Sequence, residues 1–199
     1  PDAPSVPLST TAVGEMPAGE GLNRAGARVG DDVWLTGTTG DAYAALMIRT
    51  KVWKDEAGVL SRLAPRMDDP TPRVAVGCAL RRFAHAAVDI SDGLLQDLGH
   101  ILERSGTGAV VAWDACPKSE ALRAFSEEAC RRAVLGGGDD YELLFCAAPE
   151  DRARVETLAR VTQVPLTRIG RIVERGLRVV DREGEEIPVG AFGFDHFAS

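Results

Sequence analysis

The 199-residue chain is 45 % hydrophobic and 27 % charged, with 21 glycines and a formal net charge of −7, a composition that suits a globular α/β protein rather than a disordered or fibrous one. The acidic balance argues against a nucleic-acid partner, which calls for a basic stripe, and no 18-residue apolar run offers a membrane span. Cys78, Cys116, Cys130 and Cys146 form no CxxC pair, so zinc and thiol-redox readings are weak and a cytoplasmic, reducing setting is expected.

The chain opens on Pro1 and "PDAPSVP", with no signal-peptide pattern, and passes at once into "LSTTAVGEM", whose alternation predicts a strand over 8–14. Such a start is expected of a chain entered partway through a domain, or of a processed or tagged terminus. Gly30-Asp31-Asp32 reads as a turn, Val33 to Thr36 as a short strand, and the residues from Gly40 as a helix on Ala42, Ala44, Ala45 and Leu46. Residues 51–72 carry charges, three prolines and little periodicity; they are expected to connect a first unit, 1–50, to a second, 73–199, with the boundary near Pro70 and Pro72.

Beyond Pro72 strands and helices alternate: "RVAVGCALRRFA" is helical and "HAAVDI" a buried strand. Leu94, Leu95, Leu98, Ile101 and Leu102 share one helical face that Gly106 terminates. "GAVVAW" is a strand, "KSEALRAFSEEACRRAVL" helical with a break near Ser126, "YELLFCAA" a strand, and Pro149 begins a further helix with acids in its first turn. Strands "LTRIGRIV" and "GLRVVD" follow, then a turn at Glu183-Gly184 and the tail "GAFGFDHFAS". This order predicts an α+β, mixed α/β, fold rather than a strictly doubly wound sheet.

The corner Asp89-Ile90-Ser91-Asp92-Gly93 crowds two carboxylates where a strand gives way to a helix. There, free backbone N–H groups and the positive end of the helix dipole would point outward and could hold a phosphate, while the carboxylates hold Mg²⁺, which commonly takes one or two carboxylates plus water and phosphate oxygens. The structural alternative is that Ser91 caps the helix and Asp92 complements its dipole, which leaves Asp89 unexplained. A nucleophilic serine is disfavoured: the stretch lacks the leading glycine of G-x-S-x-G, and a carboxylate two residues before Ser91 would oppose an oxyanion.

"LGGGDDYELLF", residues 135–145, is either a helix end and turn or a glycine-rich approach to a ligand, and it lacks the lysine of a P-loop. Arg24 and Arg28 have forks that suit phosphate but are equally at home in solvent. Asp31 and Asp32 read as turn residues rather than metal ligands. In the tail, Phe192, Phe194 and Phe197 either dock it on the core or stack on a flat ring.

In order, "LNRAGARVGDDVWLTGTTGDA", "PTPRVAVG", "AAVDISDGLLQDLGHILERSG", "GGGDDYELLF", "RIGRIV" and "GFDHF" resemble the thiamine-monophosphate kinase family, of the aminoimidazole ribonucleotide synthetase-like superfamily. The resemblance runs over nearly the whole chain. It implies that residues 73–199 are the C-terminal domain of that fold and 1–50 the end of an N-terminal, ATP-binding domain. It further implies ATP- and Mg²⁺-dependent phosphorylation of thiamine monophosphate to thiamine diphosphate by a cytoplasmic homodimer. Residue by residue, it implies that Asp89 and Asp92 bind Mg²⁺, Ser91 and Arg24 bind ATP, and Asp139 and Phe194 contact the thiamine substrate.

Asp139 stands where the family usually has glutamate, and Phe194 where tyrosine or tryptophan is more usual. The family's N-terminal half, with its aspartate-rich magnesium cluster, has no counterpart in these residues, so little or no activity is expected of this polypeptide alone. The alternatives are another ATP-dependent superfamily member with a different acceptor, and a non-catalytic association domain.

Overall fold

The computed structural model describes residues 9–55 and 58–188. Six strands form one sheet in the order β2-β4-β1-β5-β3-β6, where β1 is Asp32–Thr36, β2 Ala86–Asp89, β3 Gly108–Ala112, β4 Leu143–Ala147, β5 Leu166–Val173 and β6 Leu177–Val180. All neighbours are antiparallel except β3 and β6, which run parallel. The helices are α1 (Asp41–Arg49), α2 (Leu60–Asp68), α3 (Val74–Leu80), α4 (Leu94–Ser105), α5 (Glu127–Gly136) and α6 (Arg152–Thr162).

Side-chain alternation divides the core between the two faces of the sheet. Val33, Leu35, Ala86, Val88, Leu144 and Cys146 join the cores of α1, α2, α4 and α5. Trp34, Ala87, Phe145 and Ala147 pack against Val76 and Leu80 of α3 and Val155 and Leu158 of α6. The mixed α/β class read from the sequence is the class observed, and the stripe from Leu94 to Leu102 is buried as expected. Gly106 ends α4 at φ 65°, in the left-handed region where glycine carries no Cβ penalty. Ser126 caps α5, its Oγ accepting from the Ala129 N–H at 3.3 Å.

Three expectations are corrected. Residues 9–14 are exposed and form no strand, because none of the described residues supplies ladder bonds to them; Leu8 lies outside the described residues. The stretch 51–72, read as a connector, contains α2. Leu60, Leu63 and Met67 face the core at helical spacing, the Asp55 carboxylate accepts from Val59 N at 2.6 Å, and Pro65 sits inside the helix. Finally, β1, expected in the first unit, lies between β4 and β5 with all five residues buried, so residues 32–36 are built into the sheet of the second.

Phe145 is fully buried and stacks on Trp34 with centroids 6.3 Å apart. Phe145→Ala is expected to lower stability by about 3–5 kcal/mol, read as a fall in the urea midpoint; a loss under about 1 kcal/mol would mean that the α3–α6 face is not a packed core.

Candidate functional site

β2 ends at Asp89, which is exposed, and the chain then turns through the corner beside residues 138–142. The antiparallel ladder of β2 and β4 continues past the strand ends. Ile90 N donates to Glu142 O at 2.8 Å, Tyr141 N to Ile90 O at 2.8 Å, and Asp139 N to Ser91 O at 2.9 Å. Glycine is what allows this approach: a Cβ on Gly138 would lie 2.1 Å from the Ser91 carbonyl oxygen, and one on Gly93 would lie 2.8 Å from that of Gly136.

The corner is organised by a residue that sequence reasoning passed over. The Asp97 carboxylate, one turn into α4 and buried, accepts through Oδ2 from the N–H groups of Ser91 (3.0 Å), Asp92 (3.0 Å) and Gly93 (3.1 Å). Two expectations are thereby corrected. Ser91 does not cap the helix, because Gly93 occupies the N-cap at φ 129° and no side chain caps from there. Nor are these three N–H groups open to a phosphate, since the Asp97 carboxylate already accepts from them. Burial raises the Asp97 pKa, the three N–H bonds oppose the rise, and the charge of Asp92 adds to it. The available signal was a lone acid at the first turn of an apolar stripe.

Residues 139–142 alternate between solvent and core. Asp139 and Tyr141 are exposed, while Asp140 and Glu142 are each about 1 % exposed. Glu142 receives Arg73 Nε at 2.7 Å and Nη2 at 2.6 Å, Arg66 Nη2 at 2.5 Å and the Thr36 hydroxyl at 2.5 Å. Asp140 accepts from Gly40 N at 2.7 Å. Burial, reinforced by the charge of Asp41, pushes its carboxyl well above the ordinary range against that bond.

On the exposed side, the Tyr141 hydroxyl donates to Asp139 Oδ1 at 3.1 Å. Burial, the bond to Asp139 and the charges of Asp139, Asp89 and Asp92 all raise the Tyr141 pKa. One rim therefore gathers Asp89, Ser91 and Asp92 with Asp139, which lies on a segment far along the sequence. Arg24 is exposed, on the segment that flanks β2 through the Ala87 N–H to Asn23 O bond of 2.9 Å. Phe194 lies outside the described residues.

The donor set suits a hard cation. Asp89 and Asp92 offer carboxylate oxygens at a solvent-open corner, as Mg²⁺ takes them. Asp92, Asp97 and His100 also have ligand atoms within 4.8 Å of one another, but Asp97 Oδ2 serves three amides and an imidazole is not a donor Mg²⁺ favours. Asp31 and Asp32, read as turn residues, are both buried. Asp31 accepts from Arg28 N at 2.8 Å and meets His85 Nδ1 at 2.8 Å. Asp32 is held by Arg152 at 2.6 Å and Arg168 at 3.3 Å, tying β1 to α6 and β5.

The family described as AIR synthase related protein, C-terminal domain, matches residues 28–182. The thiamine-monophosphate kinase of Salmonella typhimurium is 41 % identical over 199 residues, a match that covers 97 % of this chain and 61 % of the relative. The crystal structure of thiamine-monophosphate kinase from Stenotrophomonas maltophilia K279a superposes with a TM-score of 0.78 at 44 % identity, covering 86 % of this chain and 56 % of that one. AaThiL complexed with AMPPCP and TMP gives a TM-score of 0.71 at 30 % identity, over 88 % of this chain and 54 % of that one. The chain thus spans a little over half the length of the proteins it is similar to.

A carboxyl whose pKa is raised by folding contributes most to stability when protonated, and that contribution is lost as pH rises through the folded-state value. Asp140→Asn keeps an acceptor for Gly40 N and cannot ionise. Its melting temperature relative to the unmodified chain is therefore expected to rise from pH 4 toward pH 8; a pH-independent difference in paired thermal melts would show that Asp140 does not titrate with folding.

Proposed function

The chain belongs to the AIR synthase related protein, C-terminal domain, family, and from that membership we propose that the protein carrying it is an ATP- and Mg²⁺-dependent kinase that converts thiamine monophosphate to thiamine diphosphate. The observation that carries the reading is the single rim that joins Asp89, Ser91 and Asp92 to Asp139 through the ladder between residues 89–93 and 138–142. Similarity to thiamine-monophosphate kinases supports the choice of acceptor.

In this reaction an oxygen of the acceptor phosphate bonds to the γ-phosphorus of ATP, the bond from that phosphorus to the bridging oxygen breaks, and ADP leaves. Such transfer depends on positioning and charge neutralisation more than on covalent help from side chains. Asp89 and Asp92 are the residues that would hold Mg²⁺, which when bound neutralises phosphate charge. Ser91, its N–H engaged by Asp97, keeps its hydroxyl for the nucleotide. Arg24 supplies a guanidinium suited to phosphate. Asp139 meets the acceptor from the opposite segment, and Phe194 in the tail does so as well.

The protein expressed over its full coding length is expected to form thiamine diphosphate from ATP, Mg²⁺ and thiamine monophosphate. Asp89→Asn should cut turnover roughly a hundredfold or more, the loss of a metal-held charge being worth several kcal/mol, with an unchanged melting temperature because Asp89 is exposed. The 199-residue polypeptide by itself should show little or no turnover. Unchanged turnover in the variant would return the corner to a structural role, and thermal stabilisation by an aminoimidazole precursor in place of thiamine monophosphate would assign a different acceptor.

A further inference from the structure

Tyr141 is presented in a conformation that its residue type disfavours. Its φ is +51° and that of Asp139 is +64°, and a bulky aromatic in the left-handed region is a genuine outlier that persists only where its surroundings over-determine it. The surroundings do so here. Tyr141 N is bound to Ile90 O and Asp139 N to Ser91 O, and the intervening Asp140 is buried on Gly40 N. The following Glu142 is fixed by Arg66 and Arg73. Glycine would occupy position 141 without that cost, yet the chain places there a ring that is 43 % exposed. Packing does not explain it. The hydroxyl reaches Asp139 Oδ1 at 3.1 Å.

We propose that Tyr141 is an acceptor-positioning residue, whose hydroxyl aims the Asp139 carboxylate while its exposed ring forms a wall of the acceptor site against a cationic heterocycle. The inference rests on the reading of the rim as a thiamine-monophosphate site and adds to it the element that recognises the organic part of the substrate. The thiazolium of thiamine carries a permanent positive charge on a flat ring. The face of a phenol attracts such a cation through its quadrupole, and the adjacent Asp139 carboxylate contributes a full negative charge to the same side. The phosphate of the acceptor, by contrast, belongs with the magnesium-binding aspartates. Tyr141 and Asp139 therefore select the ring, and Asp89 and Asp92 handle the phosphate.

The test uses the full-length protein with Tyr141→Gly and Tyr141→Phe. Glycine accepts the backbone conformation, so the first variant keeps the fold while losing ring and hydroxyl; the second keeps the ring and loses only the bond to Asp139. Tyr141→Gly is expected to raise the KM for thiamine monophosphate about tenfold, within the range of a desolvated cation–π contact, while the KM for ATP stays within about twofold. Tyr141→Phe should fall between it and the unmodified protein. Equal rises in both KM values, or no change in either, would overturn the role of Tyr141 while leaving the kinase reading in place. Failure of the unmodified protein to phosphorylate thiamine monophosphate would overturn that reading, and this inference with it.

Discussion

The carboxylate of Glu142 is almost wholly removed from water, and a buried charge is tolerated only when it is paired and its lone pairs are occupied. Its partners come from three separate places: Thr36 at the end of β1, Arg66 on α2 and Arg73 just before α3. Satisfying one carboxylate therefore fixes the ends of several elements against the start of β4. The contact is close enough that a Cβ on Gly37 would lie 2.2 Å from Glu142 Oε1. Thr36 Oγ1 in turn accepts from Leu143 N at 2.8 Å, which joins β1 to β4 at the point where the ladder runs out into the site.

The rim inherits its precision from that anchor. With Asp140 and Glu142 directed inward, Asp139 and Tyr141 face outward, and the ladder to Ile90 and Ser91 sets the distance between this segment and the corner. The corner is fixed independently by Asp97, which binds three successive amides from within α4. Two buried carboxylates on different elements thus hold two exposed acidic segments side by side. Like charges are kept together by bonds made behind them rather than by attraction between them.

Much of this was legible in the sequence, and what was missed has a physical pattern. The helix Leu94–Ser105 and the strands β2 to β6 were readable because periodicity and local caps agree with the tertiary outcome. The placing of Asp89, Ser91 and Asp92 at a strand-to-helix corner was readable too, whereas the position of Asp139 beside them rests on a long-range ladder that no local pattern announces. The helix Leu60–Asp68 was hidden by Pro65 and by charges that read as connector, although Leu60, Leu63 and Met67 keep helical spacing. The clamp on Glu142 was invisible because long-range pairing of arginine with a carboxylate leaves no local signature, and an arginine in a polar stretch looks the same whether solvated or buried. For Asp31 and Asp32 the turn reading stands at Asp31, whose N–H donates to Arg28 O at 2.9 Å, but the ion-pair partners stayed hidden because His85, Arg152 and Arg168 lie 54, 120 and 136 positions away.

The occupation of the Ser91, Asp92 and Gly93 amides by Asp97 changes how the corner can treat phosphate. A helix start with open amides attracts anions directly; here the three N–H groups of Ser91, Asp92 and Gly93 already donate to a buried carboxylate. A phosphate approaching the rim meets Asp89, Asp92 and Asp139 instead, and Coulomb repulsion at such separations is unfavourable even in a partly solvated setting. Among the described residues, that repulsion is offset by a cation placed between such a ligand and the aspartates, or by a guanidinium brought alongside. The same repulsion that makes two aspartates around Ser91 a poor choice for a plain turn is relieved by any positive charge placed between them, whether a cation or a guanidinium.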